Sequence, residues 1–215
     1  MRHVATLQYA RLLDAVEYYE KCGFKFIDVP WCVSREAVLM TRPPAVQGEP
    51  FSYAAGGERL YPVASAEQSF LQMQLDANAA GTPITGSFCA MTPCFRNEPV
   101  LDDLHQPYFM KVELISWDKT SAEDLSKMIA GARLYIENDD AGLWVDVVKN
   151  NDVDPIARHQ AYDIVSKLAQ IELGSYGIRQ HEKVGRWLYG TGLAEPRYSY
   201  AVEVETALRA ARGNA

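Results

Sequence analysis

Two runs of alternating residues, Ser87–Glu98 and Tyr108–Trp117, constrain what this chain can fold into more than any other feature. In the second run Tyr108, Met110, Val112 and Leu114 share one parity, and Phe109, Lys111 and Glu113 share the other. Successive strand side chains point to opposite faces, so such a segment buries one face and presents an aromatic, a cation and a carboxylate on the other. In the first run Cys94, Arg96 and Glu98 share a parity while Phe95 points away. Pairing through the loop Asn97–Pro107 would put both polar faces on one side of a sheet. A face of that kind has the makings of a nucleotide surface, because a planar guanidinium grips phosphate and an aromatic ring stacks a base. A solvated outer face with cross-strand ion pairs would show the same alternation.

The other elements are marked by spacing and punctuation. Tyr9, Leu12, Leu13, Val16 and Tyr19 recur at helical spacing and Gly23 supplies a stop; Phe24–Val29 then reads as a strand ended by Pro30. Arg42–Gly57 reads as a surface loop, and Ser65 caps a short helix carrying Phe70, Leu71 and Leu75. Ser121 with Asp124 forms a capping-box start for a helix with Leu125, Met128, Ile129, Ala132 and Ile136 on one face. Asp154–Pro155 starts another short helix, and the last helix runs from about Arg197 with Ala201, Val204, Leu208 and Ala211 as its stripe. Strand-like runs lie near 60–64, 85–96, 108–117, 143–148, 168–176 and 186–194. Strands joined by short connections favour an α+β fold, an antiparallel sheet with helices packed on one side. The 215 residues are expected to form one domain, 1–215.

Composition narrows the function. A net charge of −7 argues against a broad nucleic-acid surface. No apolar run reaches the roughly 20 residues of a membrane span, and Met1–Arg2–His3 leads into an amphipathic segment rather than a secretory leader. Cys22, Cys32, Cys89 and Cys94 are too few for a disulfide framework and form no CxxC pair, so reduced thiols in the cytoplasm are expected and no zinc site is. Neither GxGxxG after a strand nor GxxxxGK[ST] occurs.

Thr92–Pro93–Cys94–Phe95–Arg96–Asn97–Glu98, then His105–Gln106, then Phe109–Met110–Lys111–Val112–Glu113–Leu114, resembles motif 2 of the class II aminoacyl-tRNA synthetases, nearest the seryl type. Three more pieces follow the family's order. Gly23–Phe24 to Val29–Pro30 resembles motif 1, Ser65–Ala66–Glu67 the TxE loop, and Glu172–Leu173–Gly174–Ser175 with Gly190–Thr191–Gly192–Leu193–Ala194 and Arg197 motif 3. The resemblance spans about residues 8 to 205.

It implies a ligase-type, homodimeric enzyme that uses ATP and Mg2+ to activate a small amino acid, such as serine, glycine or alanine. The activated amino acid passes to a tRNA or to a carrier protein. It also implies roles. Arg96 would bind the α-phosphate and Glu98 the adenine amino group; Phe109 and Arg197 would flank the adenine, with Arg197 reaching the γ-phosphate. Glu172 and Ser175 would sit by the phosphates and their magnesium, Glu67 with Ser65 would meet the substrate's ammonium, and Glu113 and Thr191 its side chain. Activation needs positioning and electrostatic stabilisation, not an enzyme nucleophile.

The chain also departs from the family. The piece resembling motif 1 lies close to the first residue, so a tRNA-gripping N-terminal arm is not expected; the motif 2 loop is short and acidic at Asp102–Asp103, and Ser65 replaces the usual Thr. Glu195–Pro196 precedes Arg197, and the stretch from Glu172 to Gly190 is compressed. These features suit a stand-alone paralogue, with a non-catalytic binding or regulatory subunit as the alternative. Locally, Arg197 could be a first-turn arginine of a surface helix, Glu172 a water-facing strand carboxylate beside a bulge at Gly174, and Gly190 and Gly192 turn glycines. Trp117, Trp144 and Trp187 read as core or rim aromatics.

Overall fold

The computed structural model describes residues 6–42, 49–139, 142–150 and 160–213. Helix α1 (Tyr9–Lys21) buries Leu12, Ala15, Val16 and Tyr19, while Tyr9 and Leu13 of the same apolar spacing face outward. Gly23, at φ +93°, turns the chain out of the helix, a conformation that costs a residue without Cβ little. The strand expected over Phe24–Val29 is only β1 (Lys25–Phe26), laid parallel along a sheet edge. Next come β2 (Cys32–Val33), α2 (Arg35–Met40), β3 (Tyr53–Ala55) and β4 (Glu58–Pro62). The second, third and fourth strands make a separate small sheet in the order β2-β4-β3. The segment read as the loop Arg42–Gly57 therefore contributes a strand, and its residues 43–48 lie outside the described residues, as does the helix expected at Asp154–Pro155.

Helix α3 (Ala66–Ala79) starts at Ser65, whose hydroxyl accepts from the Glu67 amide. The alternating runs are β5 (Ser87–Phe95) and β6 (Tyr108–Ser116), antiparallel with Cys94 opposite Phe109, so the two polar faces do lie on one side. Helix α4 (Ala122–Asn138) has the full Ser121–Asp124 capping box and buries the expected face plus Tyr135. The remaining strands are β7 (Val145–Lys149), β8 (Ala161–Ser166), β9 (Glu172–His181) and β10 (Gly185–Glu195), followed by α5 (Arg197–Gly213). The single strand expected over 168–176 is thus the turn between two strands plus half of the second. Gln170, at φ 55°, sits in that turn. Of the last helix's expected stripe, Ala201 is buried, Val204 and Leu208 are half-buried and Ala211 is exposed.

The main sheet runs β1-β5-β6-β10-β9-β8-β7 and is antiparallel apart from its first pair. Helices pack on both of its faces rather than on one. Leu12, Val16, Leu125, Ile129 and Ala201 of three helices cover Val112, Leu114 and Leu188 on one face. Phe70 and Leu71 of α3 cover Ala90, Ile115 and Trp187 on the other. Each fully buried side chain of this size contributes about 1.5–3 kcal/mol.

Gly190 and Gly192 are not turn residues but lie within β10. A Cβ on Gly190 would stand 2.6 Å from Met128 Sδ and from the Tyr176 ring; one on Gly192 would stand 2.8 Å from Tyr19. The Gly192 carbonyl also accepts the buried Tyr19 hydroxyl at 3.0 Å. Register shifts by one residue at this glycine, and again in β9 opposite Ile164 and Val165, where the bulge beside Gly174 was expected.

A partly buried polar tie joins α1 to the start of α5. Arg11 Nη1 donates to Glu195 Oε1 at 3.0 Å and to Ser199 at 2.9 Å, its Nε lies 3.7 Å from Asp139, and Asp139 accepts the Tyr198 hydroxyl at 2.8 Å. This tie fixes the strand end from which Arg197 departs.

Candidate active site

Helix α3 covers only part of its face of the sheet. Where it stops, Phe109, Lys111 and Glu113 of β6 continue the parity of buried Ile115 along the same face, next to Ser175 on β9 and Thr191 on β10. Two adjoining cavities result. The first, about 90 Å³, takes Arg96, Phe109, Glu172, Ser175, Thr191 and Arg197 into its lining. The second, about 330 Å³, takes Ser65, Glu67, Glu98, Glu113 and Arg179, and it shares Arg96, Lys111 and Ser175 with the first. All ten residues singled out in the sequence therefore line one composite site.

Three cations (Arg96, Lys111, Arg197) face two carboxylates (Asp103, Glu172) in the first cavity. The Arg96 guanidinium lies 4.9 Å from the centre of the Phe109 ring, a diagonal neighbour across the β5–β6 ladder. Arg197, the first residue of α5, reaches Glu172 Oε1 and the Leu104 carbonyl, each at 3.5 Å. Both contacts are long, so the guanidinium is steered rather than clamped. Burial holds its pKa below the usual arginine value; Glu172 opposes that shift and the charge of Arg96 reinforces it. Two guanidiniums that repel across a cavity make a place for an anion. Glu98 lines the second cavity, and its charge reaches Arg197 at the first.

Four cations (Arg42, Arg96, Lys111, Arg179) balance four carboxylates (Glu49, Glu67, Glu98, Glu113) in the second cavity. Glu67 is 3% exposed; its Oε1 accepts Trp187 Nε1 at 2.7 Å and its Oε2 accepts the Arg179 guanidinium. Arg179 also lies 4.0 Å from the centre of the Tyr189 ring. Glu113 is 1% exposed; its Oε2 accepts Ser65 Oγ at 2.5 Å and Lys111 Nζ at 2.7 Å. Burial raises the Glu113 pKa above the usual glutamate value; Lys111 and the Ser65 hydroxyl oppose this, and Glu67 adds to it. Thr191 stands directly opposite Glu113 in the β6–β10 ladder, but its hydroxyl engages the Ser175 backbone, accepting from the amide at 3.3 Å.

Arg179 and the Trp187 indole were not singled out as site groups. The alternation of β9 puts Arg179 on the Ser175 side, a signal hidden because the expected strand ended at 176. Trp187 is the core aromatic expected, and its N–H adds a role that no pattern marks.

No family model and no curated protein matches the sequence. Solved structures do match. The chain is similar to the cytoplasmic serine-tRNA ligase of Naegleria fowleri in complex with AMP, with TM-score 0.71 and 18% identity over 87% of this chain and 46% of that one. It is similar to the seryl-tRNA synthetase of Pyrococcus horikoshii complexed with ATP, with TM-score 0.69 and 19% identity over 90% of this chain and 49% of that one. It also matches PylSc, a pyrrolysyl tRNA synthetase of Desulfitobacterium hafniense, with TM-score 0.66 and 14% identity over 92% of this chain and 67% of that one. The fold is that of a class II aminoacyl-tRNA synthetase catalytic domain. This chain spans about half the length of the two seryl proteins. Within the class II fold, the composite site lies on the open end of the sheet face that α3 leaves uncovered.

Proposed function

We propose that the chain activates an amino acid with ATP, working as one catalytic domain over residues 1–215. What carries this reading is that a cation-rich cavity and a charge-balanced cavity adjoin and share Arg96. The first suits a polyphosphate and the second a zwitterion, and a reaction between the two would occur at their junction. There the amino-acid carboxylate forms a bond to the α-phosphorus while the bond from that phosphorus to the departing pyrophosphate breaks. The products are aminoacyl-adenylate and pyrophosphate, and no proton need move. Arg96 on the α-phosphate and Arg197 on the outer phosphates neutralise developing charge, and Phe109 offers a face for the adenine with Glu98 toward its amino group.

Glu172 is a half-exposed carboxylate at the mouth of the first cavity. It fits a magnesium ion that keeps most of its ligands as water and substrate phosphate, with Ser175 beside it. When bound, Mg2+ would supply further neutralisation of the phosphates. In the second cavity Ser65, Glu67, Glu113 and Thr191 surround the amino acid; a small one such as serine, glycine or alanine is the leading candidate. The acceptor is a tRNA or a carrier protein. A cytoplasmic homodimer fits the four unpaired cysteines and the exposed Tyr9, Leu13 and Phe26 along α1 and β1. Among the described residues no helix is long and apolar enough to cross a membrane.

Amino-acid-dependent ATP–pyrophosphate exchange across the twenty amino acids tests the proposal, with Arg96→Ala as control. Exchange with one or two amino acids, lost in the variant, supports activation. A folded protein that exchanges with none is instead a non-catalytic paralogue, a reading the saturated Glu67 carboxylate favours.

A further inference from the structure

We propose that a third cavity, on the sheet face opposite the composite site, is a separate binding site for a small aromatic carboxylic acid, and that its occupant stiffens β10 behind Thr191. This holds whether or not the chain activates an amino acid. The cavity, about 220 Å³, opens between the end of α1 and the first half of α4. Its floor is one rung of the sheet, with Ser87 opposite Ser116 and Ser116 opposite Leu188. The wall is apolar. Tyr19 and Phe24 meet edge to face with ring centres 6.1 Å apart, and Met128 closes the corner. A pocket with an apolar body and a few placed polar groups suits a small ligand, and two rings set at a right angle favour a third ring between them.

Two polar features say what else the occupant carries. The Ser116 hydroxyl accepts the Lys119 amide at 3.2 Å and gives its one proton to Asp118 at 3.1 Å. Ser87, 2.9 Å away, therefore donates to Ser116 and keeps its lone pairs for an incoming N–H or O–H. Of the charged groups in the lining, Asp124 is held by Ser121 in the capping box and Lys127 by Glu123 at 2.7 Å. The exposed Lys119 ammonium has no such partner among the described residues, so the unanswered charge at the mouth is positive and suits a carboxylate.

The same walls bear on β10. The Tyr19 hydroxyl donates to the Gly192 carbonyl at 3.0 Å, and a Cβ on Gly190 would stand 2.6 Å from Met128 Sδ. These glycines flank Thr191, which lines the composite site on the other face, and the ladder changes register beside them. In close packing of this kind, a ligand wedged against Tyr19 and Met128 restrains the strand behind them.

The test is calorimetric binding of indole-3-propionate, whose ring N–H can meet Ser87, and of its uncharged amide. It is run on the wild type, Lys119→Gln and Gly131→Leu. Gly131 lines the cavity from within α4, its Cβ would meet no atom within 4 Å, and leucine favours the helix, so Gly131→Leu fills the space in a folded protein. The wild type should bind the acid about fivefold more tightly than the amide, the scale of one exposed ion pair. Lys119→Gln should bind the two alike, and Gly131→Leu should bind neither. The acid should also slow iodoacetamide alkylation of Cys22, at the cavity, and not that of Cys32, and should slow amide hydrogen exchange over Leu188–Leu193. Absence of saturable binding, undiminished binding by Gly131→Leu, or an unprotected Cys22 overturns the site. Equal binding of acid and amide by the wild type overturns the assignment of Lys119, and unchanged exchange in β10 overturns the coupling.

Discussion

The two cavities are built in contrasting ways. Around Arg96, Phe109 and Arg197 the contacts are long and partly open to water; the Arg96–Phe109 pair at 4.9 Å is worth about 0.5–1 kcal/mol. Around Glu67, Trp187 and Arg179 the partners are almost fully buried and come from chain positions 112 and 120 residues apart. Breaking one side of such a buried charged pair costs about 3–5 kcal/mol. Little in the first region is locked. The second holds its shape before any ligand arrives. Mutations should therefore separate activity from stability according to which region they strike.

Arg96→Ala makes the sharpest cut. Exchange should fall by about 10³-fold, roughly 4 kcal/mol of transition-state stabilisation, with the melting temperature unchanged. A large drop in melting temperature would erase the contrast. Trp187→Phe strikes the other region; it leaves Glu67 Oε1 without its donor and should cost about 3 kcal/mol in a urea unfolding titration. Gly190→Ala touches neither lining but overfills the space beside Met128 and Tyr176, and about 2 kcal/mol should be lost. Exchange per folded molecule should survive it.

The smallest effect is a pH slope. Glu113 has a raised pKa in the folded protein, so the folded state holds that proton to higher pH than the unfolded chain does. Its contribution to stability is full below the ordinary glutamate value of 4.5 and is lost as pH rises from there through the raised value. Glu113→Gln should flatten this decline, which is at most about 1.4 kcal/mol per pH unit. Urea midpoints measured upward from pH 4.5 would show it, and a wild type that gains stability relative to the variant over that range would contradict the assignment.

How legible each region was in the sequence follows from how it is built. The β5–β6 face could be read from alternation alone, because a two-residue period within neighbouring strands is a local property. The helix bearing Leu125 to Ile136 could be read from its capping box for the same reason. What the residues did not reveal depends on distant partners. Arg179 is an unremarkable arginine until β9 pairs with β10 and α3 brings Glu67 beneath it. Glu113 looks like any strand carboxylate until burial leaves one of its oxygens unmet. The run over 168–176 misled because its turn, held by Ser166 accepting from Ile171, carries no glycine or proline signal. The short β1 and the small β2–β4–β3 sheet are set by tertiary packing, which overrides weak local preference.

The tie between Arg11 and Glu195 bears on when the site can come into being. The two residues stand 184 positions apart, and Ser199 and Tyr198 join the same cluster. Closing so long a loop costs only about 0.6 kcal/mol more than closing one half as long, so equilibrium tolerates it well. Speed is another matter, because contacts this remote in sequence form late. During synthesis the sheet face around Phe109 and Glu113 can assemble well before Arg197 leaves the ribosome. Until α1 finds the start of α5, the nascent chain would hold half a pocket, its acids and bases in place and its second guanidinium still to come.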